Sequence, residues 1–81
     1  MFDAAKLQSI VSKGLPDAHV TVIDQTGSGD HFAVEVVSCA FEGKTLVQRH
    51  RMVYQAVGAA MGNEIHALSL KTQTPAEKER N

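Results

Sequence analysis

The stretch Phe41-Glu42-Gly43-Lys44-Thr45-Leu46-Val47-Gln48-Arg49-His50-Arg51-Met52-Val53-Tyr54 decides how this chain folds. Beyond Gly43, which supplies a turn, Leu46, His50, Val53, Val57 and Ala60 recur at the spacing of one helix face, and Val47, Tyr54 and Met61 widen that stripe. A long amphipathic helix is therefore expected, with Gly62 and Asn63 as its C-terminal cap. Working outward on the amino-terminal side, Phe32 to Val37 and His19 to Asp24 alternate as strands, joined through the flexible residues Thr26-Gly27-Ser28-Gly29-Asp30. Asp3 opens a first helix whose inner face carries Leu7, Ile10, Val11 and Gly14, and Pro16-Asp17 ends it.

On the carboxyl-terminal side, Ile65 to Thr72 alternates as a third strand, and Thr74-Pro75 opens a short charged helix. The element order is αββαβα. It predicts an α+β, two-layer fold with a three-stranded sheet and helices on one face, the second and third strands being joined by a crossover through the long helix.

Composition bounds what such a fold can do. With 81 residues, 43% of them hydrophobic, residues 1–81 are expected to form a single domain, too small for a deep enclosed active site. Eight Lys and Arg against nine Asp and Glu leave a net charge of -1, so attraction to a phosphate backbone would have to come from a local patch. The lone Cys39 cannot form an internal disulfide, and no apolar stretch approaches the ~20 residues of a membrane helix. A cytoplasmic protein without membrane attachment is expected.

The central block, together with Asp30-His31-Phe32, Val34-Glu35-Val36-Val37, Ile65-His66-Ala67-Leu68 and Thr74-Pro75-Ala76-Glu77, resembles the signature of the BolA family. The resemblance covers nearly the whole chain. It implies a fold similar to a class II K-homology domain, and it implies two kinds of work: handling of iron-sulfur clusters with monothiol glutaredoxins, and DNA-binding regulation. The histidine of Ile-His-Ala-Leu resembles the one with which BolA proteins ligate a bridged two-iron two-sulfur cluster, which makes His66 the first candidate ligand. In the family a second ligand comes from the loop between the first two strands. Here that loop offers His31, so the resemblance implies His66 and His31 as metal ligands, with the partner's cysteine and glutathione completing the cluster and no cofactor in the isolated protein.

Read from the residues alone, these positions have plainer alternatives. His66 shares a strand face with Leu68 and Leu70, where a core-edge histidine bonded to backbone would also fit, and His31 turns away from that face if it belongs to the second strand. Cys39 is a further ligand candidate, or a small buried hydrophobe beside Ala40 and Phe41. His50 lies in the centre of the apolar stripe and reads as a packed, hydrogen-bonded structural residue. Arg49 and Arg51 sit about 160° apart around the helix axis, flanking the stripe as solvent-facing residues rather than forming one patch.

No Ser-His-Asp or Cys-His constellation is present in a matching context, so an enzyme is not expected. The Gly27-Ser28-Gly29 stretch lacks the length and the lysine of a phosphate loop, and no Gly-x-x-Gly turn between helices supplies an RNA clamp. Two functions remain. One is an adaptor that shares a cluster with a monothiol glutaredoxin in iron-sulfur trafficking or redox and iron regulation. The alternative is a DNA-binding transcriptional regulator that touches phosphates through Lys44, Arg49 and Arg51, for which three contacts would give a salt slope near -2.7, at about 0.9 per contact. The tail Glu77-Lys78-Glu79-Arg80 reads as a solvated helix, docked weakly because Lys78 stands where family members commonly carry tryptophan. Whether the isolated chain forms a weak homodimer is left open by the sequence.

Overall fold

Strand β2, His31–Val37, is the centre of the fold, and its alternation is complete: Phe32, Val34 and Val36 are buried, while the residues between them are half-buried. In the computed structural model, which describes residues 3–25, 27, 31–58 and 67–80, β2 pairs antiparallel with β1, His19–Asp24, and parallel with β3, Ala67–Gln73. The sheet order is therefore β1-β2-β3. Side chains of adjacent residues leave a strand on opposite faces, so the registers Val20↔Val36, Val34↔Leu70 and Phe32↔Leu68 assemble one apolar face.

That face is covered by α1, Ala4–Gly14, and α2, Leu46–Val57. Helix α1 begins where the carboxylate of Asp3 accepts the amide N–H of Lys6 at 2.7 Å, and it buries Leu7 and Val11. Gln8 fastens it to the sheet by donating its side-chain amide to the Val20 carbonyl at 2.9 Å. Helix α2 begins with a reciprocal cap in which Thr45 and Gln48 exchange backbone-to-side-chain hydrogen bonds, and it buries Val53 and Val57. The core is completed by Leu15, Val20, Phe32, Val34, Val36 and Phe41. The two helices cross closely at Gly14, where a Cβ would stand 2.5 Å from that of Ala56.

The expected two-layer α+β arrangement and element order are observed, with differences at particular places. Helix α2 closes at Gly58, whose φ of 66° is a left-handed conformation that glycine adopts without steric cost, ahead of Gly62-Asn63, which lie outside the described residues. The apolar stripe also does not reach the core at its first turn: Leu46 and Val47 are exposed, and the buried residues of the helix are Val53 and Val57.

Between β2 and α2 the chain makes a short 3-10 turn, Cys39–Phe41, that the periodicity did not announce. Its anchor is Asp17, whose carboxylate accepts the buried Ser38 hydroxyl and the Cys39 amide N–H, each at 3.0 Å. This turn points Phe41 into the core and leaves Cys39 exposed, correcting the expectation of a buried cysteine.

Candidate functional site

One candidate ligand, His31, stands at the end of the sheet where β2 and β3 begin. His31 is the first residue of β2, and its carbonyl accepts the Gln25 amide N–H at 2.9 Å, closing the hairpin from β1. Asp24 tightens the same corner by accepting the Gly27 N–H at 2.9 Å. His31 thus belongs to a strand rather than to a loop. Its ring leaves on the face opposite Phe32, away from the helices, and is half-buried.

The strand partner of His31 is Ala67, and Ala67 directly follows His66 in sequence. His66 itself lies outside the described residues. Among the described residues no group of three His, Cys, Asp or Glu side chains gathers as a metal site. Cys39 lies beyond the opposite end of β2 from His31.

The basic residues are divided by the tertiary structure. Arg49 is drawn into a network: its guanidinium donates to both carboxylate oxygens of Glu77, at 2.7 and 3.3 Å, and its Nε donates to the Lys44 carbonyl at 3.0 Å. The guanidinium carbon also stands 5.9 Å from the centre of the Phe41 ring, and the side chain is only 12% exposed. Arg49 is therefore a structural residue and not the solvent-facing cation expected from its helical angle. Lys44 and Arg51 are exposed.

Glu77 belongs to α3, Pro75–Arg80, and it also caps that helix, accepting the Thr74 N–H at 2.9 Å while Thr74 Oγ1 accepts the Glu77 N–H at 3.2 Å. Lys78 reaches the other face of the sheet, where its Nζ donates to Glu35 at 2.9 Å. The tail is thus tied at two points, correcting the reading of it as a merely solvated helix. The Thr74-x-x-Glu77 capping pattern was the signal available for this, but no sequence spacing connects Arg49 to Glu77.

The hydrogen bond from Arg49, then that from the Thr74 amide, holds the Glu77 carboxyl down at about 2, below the ordinary 4.5. A carboxyl lowered by folding stabilises the folded arrangement above its unfolded value and ceases to do so as pH falls through its folded value. The anchoring of α3 is accordingly expected to be complete above pH 4.5 and to be lost on acidification towards pH 2. Amide exchange at Lys78, whose N–H donates to the Thr74 carbonyl, should accelerate across that window. In Glu77→Gln the acceleration should lose its pH dependence there, and an unaltered profile would contradict the anchor.

His50 is half-buried on α2, and its Nε2 is buried without a hydrogen-bond partner among the described residues, unlike the satisfied structural histidine expected. It borders a groove of ≈ 700 Å³ between α2, β3 and α3.

These features define a small α+β domain with an antiparallel hairpin, a parallel strand added through a helix, and a histidine at the first position of the central strand. Residues 9–77 match the family model described as BolA-like protein, and the chain belongs to that family. Protein BOLA2 of Arabidopsis thaliana is 46% identical over 79 residues, which are 95% of this chain and 84% of that one. Among solved structures, a bolA protein homologue from Coxiella burnetii superposes with a TM-score of 0.82 at 44% identity, covering 99% of this chain and 100% of the other. The BolA domain of SufE1 from Arabidopsis thaliana superposes with a TM-score of 0.80 at 33% identity, covering 90% and 92%. The similarity to a class II K-homology domain, implied by the family resemblance, is not confirmed by these likenesses. No helix among the described residues is long and apolar enough to cross a membrane.

Proposed function

We propose that this BolA-like protein is a cytoplasmic adaptor rather than an enzyme: it pairs with a monothiol glutaredoxin and shares a two-iron two-sulfur cluster with it, in cluster trafficking or in redox and iron regulation. The observation that carries this reading is the match of residues 9–77 to the BolA-like family model, supported by the β2–β3 register although the His31 ring leaves on the face opposite Phe32. The register sets His31 beside Ala67, the immediate sequence neighbour of His66, on strands whose backbones run about 4.8 Å apart.

The donor chemistry fits a shared cargo. A two-iron two-sulfur cluster takes four protein-side ligands, commonly thiolates, and two imidazoles in place of two thiolates reduce its negative charge and raise its potential. Among the described residues no three-ligand set gathers, and in this reading the remaining ligands come from a second molecule, as the glutaredoxin cysteine and glutathione. What this chain would contribute is neutral imidazole on a strand end that the hairpin hydrogen bond to Gln25 keeps in register.

The test is titration of the apo protein into cluster-loaded monothiol glutaredoxin, followed by visible absorption and circular dichroism. A changed spectrum is expected, with His66→Ala abolishing it. His31→Ala should abolish it too if both imidazoles ligate; if it leaves the change intact, His31 is removed from the ligand set. No change with the unsubstituted protein would reject the adaptor reading. Regulation through DNA is the weaker reading, because the Arg49 guanidinium is already paired with Glu77 and only Lys44 and Arg51 of that trio are exposed.

A further inference from the structure

Large apolar side chains on the surface of this domain are not scattered. Among the described residues four are exposed, and three of them, Leu46, Val47 and Tyr54, stand on α2, at 63%, 60% and 39% exposure. The fourth, Ile23, lies on β1. At about 100° per residue around the helix axis, Leu46, Val47, Arg51 and Tyr54 fall within about 140° of one another, so they form one flank beside the buried Val53 and Val57. Exposed apolar residues gathered into a patch with a polar rim mark a surface that another molecule covers, whereas single ones carry no such meaning.

The charges on this flank point to its occupant. Lys44 and Arg51 are exposed, and among the described residues neither side chain makes an ion pair or a hydrogen bond. In this they differ from Arg49, which is held by Glu77, and from Lys71 and Lys78, which stand beside Glu35. Helix α2 contains no Asp or Glu, and Glu42, the nearest carboxylate along the chain, is exposed and pairs with neither cation. A second copy of the chain laid flank to flank would set Lys44 and Arg51 against the same cations, a like-charge arrangement that opposes association. Two cations on a chain of net charge -1 attract a phosphate backbone weakly, and Leu46 and Val47 offer a phosphate nothing. A protein surface with carboxylates around an apolar stripe meets both features.

The backbone of the flank decides the conformation of that partner. Amide and carbonyl groups along a helix are bonded to each other, so α2 offers an extended peptide no main-chain partners in exchange for water. A helix satisfies its own backbone. It can lay apolar side chains spaced i, i+3, i+4 and i+7 along the 12 residues of α2, a length of about 18 Å at 1.5 Å per residue.

We propose that the exposed flank of α2 is a docking surface for an acidic amphipathic helix of a partner protein, with Leu46, Val47 and Tyr54 taking its apolar stripe and Lys44 and Arg51 its carboxylates. Tyrosine and arginine are among the side chains that most often carry the energy of such contacts. This inference is independent of cluster binding, since it uses neither His31 nor His66.

The experiment is a titration of the nitrogen-15-labelled full chain with an acetylated and amidated peptide of three Glu-Leu-Ala-Glu-Leu-Leu-Ala repeats, followed by amide chemical shifts. Saturable shifts are expected at Leu46, Val47, Arg51 and Tyr54 and not in β1. Arg51→Glu and Val47→Ser should each weaken binding by about tenfold or more while the amide spectrum of the sheet stays in place, because both residues are exposed. Ile23→Ser, which removes an equally exposed apolar residue from β1, should leave binding unchanged.

The proposal is overturned by no saturable shift up to millimolar peptide, by binding that Arg51→Glu or Val47→Ser leaves unaltered, or by equal binding of the peptide with lysine in place of each glutamate. Dimerisation through α2 without peptide would make a second copy of the chain the occupant instead. Shifts of the same amides by a duplex oligonucleotide or by phosphatidylglycerol vesicles, with none from the peptide, would make it nucleic acid or a lipid surface.

Discussion

Phe41→Ala is expected to lower the stability of this domain by about 3–5 kcal/mol, the range for removing a fully buried aromatic ring whose cavity collapses only partly. Phe41 is fully buried, at the end of the 3-10 turn that links the sheet to α2. Small domains are stable by roughly 5–15 kcal/mol in all, so this one change removes a large share of the total. The ring also underlies the Arg49 guanidinium, which in turn holds Glu77. Amide exchange in α3 should therefore accelerate in Phe41→Ala by more than global destabilisation accounts for, whereas Phe41→Leu, which retains most of the apolar volume, should show a smaller effect of both kinds. Urea unfolding with an unchanged slope measures the first quantity. A loss below about 1 kcal/mol would mean that Phe41 is not the packing centre described, since that is less than truncating a buried Leu costs.

Gly14→Ala is expected to act against the ordinary helix propensity. In an open helix the change stabilises by about 1 kcal/mol, because alanine loses less backbone freedom on folding. Here the added Cβ meets the Ala56 Cβ at 2.5 Å and the Ala56 Cα at 3.0 Å, so α1 and α2 must separate. Overpacking of this kind costs about 1–3 kcal/mol, which outweighs the propensity gain. Thermal unfolding of Gly14→Ala, Ala56→Gly and the double variant forms a cycle. The double variant should be more stable than the two single losses sum to, because removing the Ala56 methyl restores the space. Strict additivity would show that the helices do not meet at this point.

Much of the architecture was legible because burial in a small two-layer fold imposes simple periods. His19 to Asp24 alternates, and that is the observed extent of β1; Asp3 sits before the first helical residue, and it caps α1. Leu46 and Val47 show where periodicity stops being sufficient, since they continue the helical stripe yet remain exposed: no distant segment among the described residues packs over the first turn of α2. Cys39 shows the same at shorter range: its neighbours Ala40 and Phe41 argued for burial, but the hydrogen bonds of Asp17 turn the chain so that only Phe41 enters the core.

The candidate site was legible only in part. The family signature named His31 and His66, and the β2–β3 register is what relates Ala67, the neighbour of one, to the other. Arg49 illustrates the opposite outcome, a residue chosen for its charge whose role depends on Glu77, 28 positions away.

By itself the sequence determined the order of elements, the faces they bury and the absence of any long apolar helix, because each follows from neighbours within a few residues along the chain. Only the tertiary structure decided that Arg49 is paired with Glu77, why Gly14 must lack a side chain, and that polar atoms of His50, Thr72 and Gln73 are buried without a partner among the described residues. Those properties depend on contacts between segments distant in sequence, and local periodicity carries no information about which distant segment arrives.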